Sequence, residues 1–197
     1  MEKIFLVNLN QFGDMPIGSF TLNGRMAAKL KDKDFTFAAY REGIEALSLF
    51  HIFDIEPGDM NHVLFSHIYF PASVLDKIIQ QSETKFYVDS KYKFVAGFSF
   101  SLKDSLKVKE SLQSVIDDHN NLNGRGGVWE LYRAFNGFTN APVRPRKCTK
   151  CTKRAGIYYR HSIDTNNIEI VENCIVITTK NELSKFNGKF VRRNKID

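Results

Sequence analysis

The apolar residues fall into alternating short runs and helical stripes. Lys3 to Leu9, KIFLVNL, is a short continuous run of β-branched and aromatic residues, the pattern of a central strand. Gly13, Pro16 and Gly18 punctuate a turn, and Ile17 to Leu22 predicts a second strand ending at Asn23-Gly24. The period then changes. Phe37, Tyr40, Ile44 and Leu47 recur at helical spacing with Arg41, Glu42 and Glu45 opposite them, which predicts a helix over 36–51 with Asp34 as its N-cap. Ile52 to Ile55 predicts a short strand before the turn at Glu56-Pro57-Gly58-Asp59, and His62 to Phe70 a buried one. Pro71 opens a short helix with Val74, Leu75, Ile78 and Ile79 along one side. Lys85–Val88 and Tyr92–Phe100 predict a hairpin. Tyr92, Phe94, Ala96, Phe98 and Phe100 share one face of its second strand, and Gly97 on the other face marks a bulge or a close backbone approach. Ser101-Leu102-Lys103-Asp104 resembles a capping box for a helix reaching about Asn121.

Asn120 to Gly127, NNLNGRGG, breaks the pattern and reads as a linker. After it, Val128 to Phe138 predicts a short aromatic helix anchored by Trp129 and ended by Gly137. Ala155–Ile163, Asn167–Val171 and Cys174–Thr179 predict a β-meander, and the tail from Lys185 a last edge strand at Lys189–Arg193 or a basic arm. The expected fold is α+β: a body over 1–121 with a mixed sheet and three to four helices, a Gly/Asn hinge over 122–127, and a smaller basic β-rich module over 128–197, of zinc-ribbon type if its cysteines hold a metal.

Composition sharpens this picture. Seventeen Phe against one Trp favour an aromatic, sheet-containing core. No segment has the apolar length of a membrane span, and MEKIFLVNLNQFGD lacks the features of a signal peptide, so a cytoplasmic protein, or one acting in a host cytoplasm, is expected. Three cysteines do not make a disulfide framework and point to reduced thiols or metal ligands. The net charge of +6 is unevenly spread. Residues 1–130 hold 14 Lys/Arg and 17 Asp/Glu, whereas 131–197 hold 14 Lys/Arg and 5 Asp/Glu. Such asymmetry favours a polyanionic partner for the C-terminal part.

The densest chemistry lies in 144–161, RPRKCTKCTKRAGIYYRH, with seven Lys/Arg and no acid. Arg144, Arg146, Lys147, Lys150, Lys153, Arg154 and Arg160 are the expected phosphate contacts, and Tyr158 and Tyr159 the expected base-stacking side chains. On a strand the two tyrosines face opposite ways, so one of them belongs to the core. Cys148 and Cys151 have the spacing of a zinc knuckle, completed by His161 and Cys174 in a C-x2-C-x9-H-x12-C pattern. The competing reading makes Cys174 a small buried core residue. Gly124-Arg125-Gly126-Gly127 offers successive backbone amides to a phosphate, but no Gly-Lys-Ser/Thr follows and a plain hinge is favoured. His51, His62, His67 and His119 read as structural histidines.

These features lead to the expectation of a non-catalytic nucleic-acid-binding protein, RNA or single-stranded DNA favoured, as a ribonucleoprotein subunit or a small regulator. An alternative is an interaction protein of phage or mobile-element type that inhibits a nucleic-acid enzyme or host defence factor. A third is a metal-dependent nuclease using His119, His161 and nearby acids. Zinc is the one cofactor expected, nucleic acid the main partner, and a protein partner the second.

Overall fold

The computed structural model describes residues 1–16, 21–38, 43–91, 93–122, 125–138 and 167–193. Its spine is β1 (Glu2–Val7), in which Ile4, Phe5, Leu6 and Val7 are all buried. A strand apolar on both faces belongs inside a sheet covered on both sides. β1 lies between β2 (Phe35–Ala38) and β3 (Met60–Phe65) and pairs in parallel with both, Ile4 opposite Phe35 on one side and His62 on the other. The sheet continues through β6 (Val95–Ser101) and β5 (Lys85–Asp89) to β7 (Ile168–Val171), in the order β2-β1-β3-β6-β5-β7. β6 is antiparallel to both β3 and β5, and β7 is parallel to β5. Five strands therefore run one way and β6 alone runs against them. β4 (Ile68–Tyr69) and β8 (Ile175–Val176) form a separate antiparallel pair.

Six α-helices are described: α1 (Leu22–Lys29), α2 (Glu45–Phe50), α3 (Ala72–Ile79), α4 (Ser105–Leu122), α5 (Val128–Phe135) and α6 (Lys180–Arg193). The expected α+β class with a mixed sheet is what the chain adopts. α5 seats Tyr132 edge-on to Phe86 of β5, with ring centroids 5.2 Å apart, and Phe135 at 5.7 Å from the same ring. α4 and α2 pack beside it. Trp129 is only partly buried, and the anchors of α5 are Leu131, Tyr132 and Phe135.

Several expected elements differ. The helix expected over 36–51 is a strand, β2, followed later by the short α2, with 39–42 outside the described residues. Phe35-Thr36-Phe37 suits a pleated edge, and pairing with β1 overrides the helical spacing around it. Of the expected strand over 17–22, residues 17–20 lie outside the described residues, and Leu22 begins α1. Thr21 caps that helix by accepting from the Gly24 amide at 2.9 Å, so Asn23-Gly24 is a first helical turn. Residues 51–54 form a 3-10 turn in place of a strand. The expected strand over 62–70 breaks at Ser66-His67, between β3 and β4.

The C-terminal part departs furthest from expectation. β7 and β8 belong to two different sheets and do not make a meander. Lys180–Arg193 is a helix, neither an edge strand nor an arm. Its start is a reciprocal box: Thr179 Oγ1 accepts from the Glu182 amide at 3.2 Å, and the Glu182 carboxylate accepts from the Thr178 amide at 2.9 Å. The described residues of 128–197 share the sheet and the core of 1–121 through β7, α5 and Ile177. Residues 125–127 are packed rather than free. The Ala46 amide donates to the Gly126 carbonyl at 2.9 Å, and Gly126, at φ +69°, leaves no room for a Cβ beside Ile44.

The cap foreseen at Ser101 is present. Its hydroxyl accepts from the Asp104 amide at 3.3 Å and lies 3.1 Å from the Asp104 carboxylate, which also accepts from Thr84. Ser101→Ala is expected to cost about 1 kcal/mol, and so to lower the melting temperature by about 2–4 °C, read by calorimetry.

Candidate functional site

The chain leaves β1 for β2 on one side and later returns to β3 on the other. In an open α/β sheet, ligands settle in the crevice outside the carboxyl ends of the strands where the order reverses. A cleft of about 430 Å³ lies there, within the range of small-molecule sites. Leu9 enters it just past β1, and Phe65, His67 and Ile68 enter from the end of β3. Because β6 runs backwards, its amino-terminal approach, Lys93 to Val95, reaches the same edge. The starts of α2 and α5 close the opposite wall with Ile44, Glu45, Val128, Trp129 and Glu130, and Val176 and Thr178 close the end.

Carboxylates brace this wall. Glu130 folds back to accept from the amides of Arg125 at 2.9 Å and Gly127 at 2.8 Å. Glu45 accepts from the Val128 amide at 3.0 Å, tying the start of α2 to the start of α5. Burial raises the pKa of Glu45 above the usual carboxylate value. The Val128 bond works against that rise and the charge of Glu130 adds to it.

His67 sits on the inner wall at 7% exposure, its ring stacked with Phe65 at 6.2 Å between centroids. Its main-chain carbonyl accepts from the Ile177 amide at 3.0 Å, which fixes the backbone. Nδ1 is enclosed without a hydrogen-bond partner among the described residues, and burial lowers the pKa to about 4, so the ring is neutral at pH 7. Lys93 and Arg125 are exposed at the mouth, and neither forms an ion pair among the described residues. The cleft thus has an apolar inner part, one buried neutral imidazole, the carboxylates of Glu45 and Glu130 on its wall and two cations at its mouth.

Two other polar groups lie nearby. Asn8, Asp14, Asn23 and Ser66 are hydrogen-bonded to one another at the ends of β1 and β3, with Asn8 Nδ2 donating to Asp14 at 3.1 Å and Asn23 Nδ2 at 2.5 Å. Inside the sheet, His62 Nδ1 meets the Ser99 hydroxyl at 2.7 Å and Ser99 meets Tyr87 at 2.5 Å. His62, Ser99 and Tyr87 are fully buried, so this chain serves the core and not a substrate.

The residues singled out by charge are placed differently. Arg144, Arg146, Lys147, Lys150, Lys153, Arg154, Tyr158, Tyr159 and Arg160 lie outside the described residues, as do Cys148, Cys151 and His161. Cys174 is described. It packs against the main core, and burial, reinforced by the charge of Asp89, pushes its thiol up to about 12. Among the described residues no three His, Cys, Asp or Glu side chains are grouped to hold a metal. Also among them, no helix is long and apolar enough to cross a membrane. Glu45, His67, Lys93 and Trp129 carried no signal in the sequence as site residues. Arg125 had one, in the glycine-rich stretch read as a hinge.

No family model matches the chain, and no curated protein matches it. Among solved structures it is similar to one described as a putative glucose-1-phosphate thymidylyltransferase from Bacillus anthracis in complex with a sucrose. The identity is 11%, the TM-score 0.47, and the match covers 95% of this chain and 94% of that one. The expectation of a non-catalytic nucleic-acid-binding protein is contradicted. The similar solved structure is described as an enzyme, and one buried ionisable side chain, His67, lines a small-molecule-sized cleft. The likeness itself assigns no activity to this chain.

Proposed function

We propose that the protein is an enzyme whose substrate or cofactor is a nucleotide-class small molecule, a flat heteroaromatic ring joined to phosphate, bound in the cleft at the carboxyl ends of β1 and β3. The observation that carries this reading is the cleft's polarity: an apolar inner wall with two exposed cations, Lys93 and Arg125, at the mouth, neither in an ion pair among the described residues. Phe94 and Trp129 supply flat apolar surface to a ring, and the cations supply charge-assisted hydrogen bonds to a phosphate. Glu45, shifted upward, and His67, shifted downward by burial, lie in the same cleft, and such displaced groups gather at functional sites. His67 stays neutral at pH 7.

The test is isothermal titration with uridine and adenosine diphosphates. Lys93→Gln and Arg125→Gln are each expected to weaken binding about tenfold, the worth of one charged hydrogen bond, without lowering the melting temperature. Binding should also weaken with added salt. Absence of nucleotide binding to the wild-type protein, or binding indifferent to both substitutions, overturns the reading.

A further inference from the structure

We infer that His67 is the residue that selects the ligand, its Nε2–H donating a hydrogen bond to an acceptor on the edge of the bound ring. This rests on the nucleotide reading above. A neutral imidazole carries one proton, and the surroundings decide which nitrogen holds it. Nδ1 is enclosed and has no hydrogen-bond partner among the described residues. An unpaired buried N–H is costlier and rarer than an unpaired acceptor, so Nδ1 carries the lone pair and the proton resides on Nε2. Nε2 makes no hydrogen bond to a described group, yet it is not among the enclosed unpaired atoms. His67 lines the cleft, so the cleft is the space into which that donor opens. Stacking on Phe65 and the bond from the Ile177 amide hold the residue in place. The cations are exposed at the mouth while His67 is on the inner wall, so phosphate meets the former and the ring meets the latter. A donor fixed in an apolar wall rejects a ligand that brings no acceptor to it, because the ligand then leaves the donor unpaired.

The experiment compares wild type with His67→Phe, His67→Gln and His67→Asn, titrated with uridine diphosphate, adenosine diphosphate and ribose 5-phosphate. Gln carries an amide nitrogen to about the position of Nε2, and Asn to about that of Nδ1. His67→Phe is expected to weaken the nucleotides about tenfold or more and leave ribose 5-phosphate unchanged; His67→Gln restores most of the loss and His67→Asn does not. Unchanged nucleotide binding by His67→Phe, equal loss for ribose 5-phosphate, or rescue by Asn instead of Gln each overturns the assignment while leaving the nucleotide reading intact. If wild type binds no nucleotide, both fall. A second measurement needs no substitution: with nitrogen-15-labelled histidine, the ring signals of His67 should show the Nε2–H tautomer in the free protein and shift on saturation with uridine diphosphate. An Nδ1–H tautomer, or no shift at saturation, overturns the assignment even if the variants fail to fold.

Discussion

Acidification from pH 7 to pH 4 is expected to remove about 6 kcal/mol of stability, with two histidines responsible. His62 and His67 are both buried, and burial is the first cause that lowers each pKa from 6.5 to about 4. For His62 the charge of Glu2 works against the lowering and that of Lys33 with it. The unfolded chain takes up both protons near pH 6.5, while the folded chain refuses them until about pH 4. The unfolded state therefore binds more protons throughout that window, and stability falls as pH falls through it. A tenfold difference in proton affinity between the folded and unfolded chains is worth about 1.4 kcal/mol, which gives about 3 kcal/mol per histidine by pH 4. The steepest slope, with two protons in play, is about 2.7 kcal/mol for each pH step of one. Glu45 has the opposite sign: its raised pKa means the folded state binds a proton first, so it recovers part of the loss as pH falls toward 4.5. Asp59 and Glu182, whose pKa values are lowered, lose their contribution as pH falls from their ordinary carboxylate values toward the lowered ones. Urea midpoints at half-unit intervals from pH 7 to pH 4.5 measure the curve. His67→Gln should halve the slope, and a flat curve would show that neither ring is held neutral.

Legibility in the sequence followed the distance over which each feature is decided. β1, β5, α3 and the cap at Ser101 are set by neighbours within a few residues, and their patterns were sufficient. Thr179-Lys180-Asn181-Glu182 is equally local, a capping box that announces α6, but the basic residues around it drew the reading toward a strand or an arm. The region around Phe37 shows the opposite difficulty. Its apolar spacing suits a helix, and only parallel pairing with β1, some thirty residues away by the register of Ile4 with Phe35, makes it a strand. β7 is a stronger case, since it reaches back to β5 and makes the C-terminal part continuous with the body.

The cleft was the least legible feature, for a related reason. Its residues come from the ends of β1 and β3, the approach to β6 and the starts of α2 and α5, so no window of sequence contains it. His67 and His62 look alike as isolated histidines in an apolar run. Burial and strand order distinguish them, because His62 meets Ser99 inside the sheet whereas His67 lies beyond the end of β3 at the switch point. Local charge density drew attention to 144–161 instead, although small-molecule sites need only a few polar groups in a concave apolar setting.

Gly97→Ala is expected to be the most damaging single-methyl change in the sheet. The alternation of Tyr92, Phe94, Ala96, Phe98 and Phe100 left Gly97 on the other face, where a close approach was anticipated, and the backbone of β3 supplies it. A Cβ added at Gly97 would lie 2.4 Å from the Val63 carbonyl oxygen. That atom belongs to a fully buried strand paired to β1 on one side and β6 on the other, so it has nowhere to move without lengthening ladder bonds. Overpacking a rigid core costs about 1–3 kcal/mol even where side chains can yield, and here the neighbour is backbone, so the upper end applies. At about 2–4 °C per kcal/mol for a chain of this size, the melting temperature should drop by about 6–12 °C. Gly188→Ala is the matched control. It adds the same methyl to α6, at an exposed position where a Cβ meets nothing within 4 Å. There the helical cost of glycine is relieved and stability should rise by about 0.5–1 kcal/mol. Calorimetry on both variants isolates packing from backbone entropy, and a Gly97→Ala protein as stable as wild type would mean that β3 and β6 do not approach as closely as the structure places them.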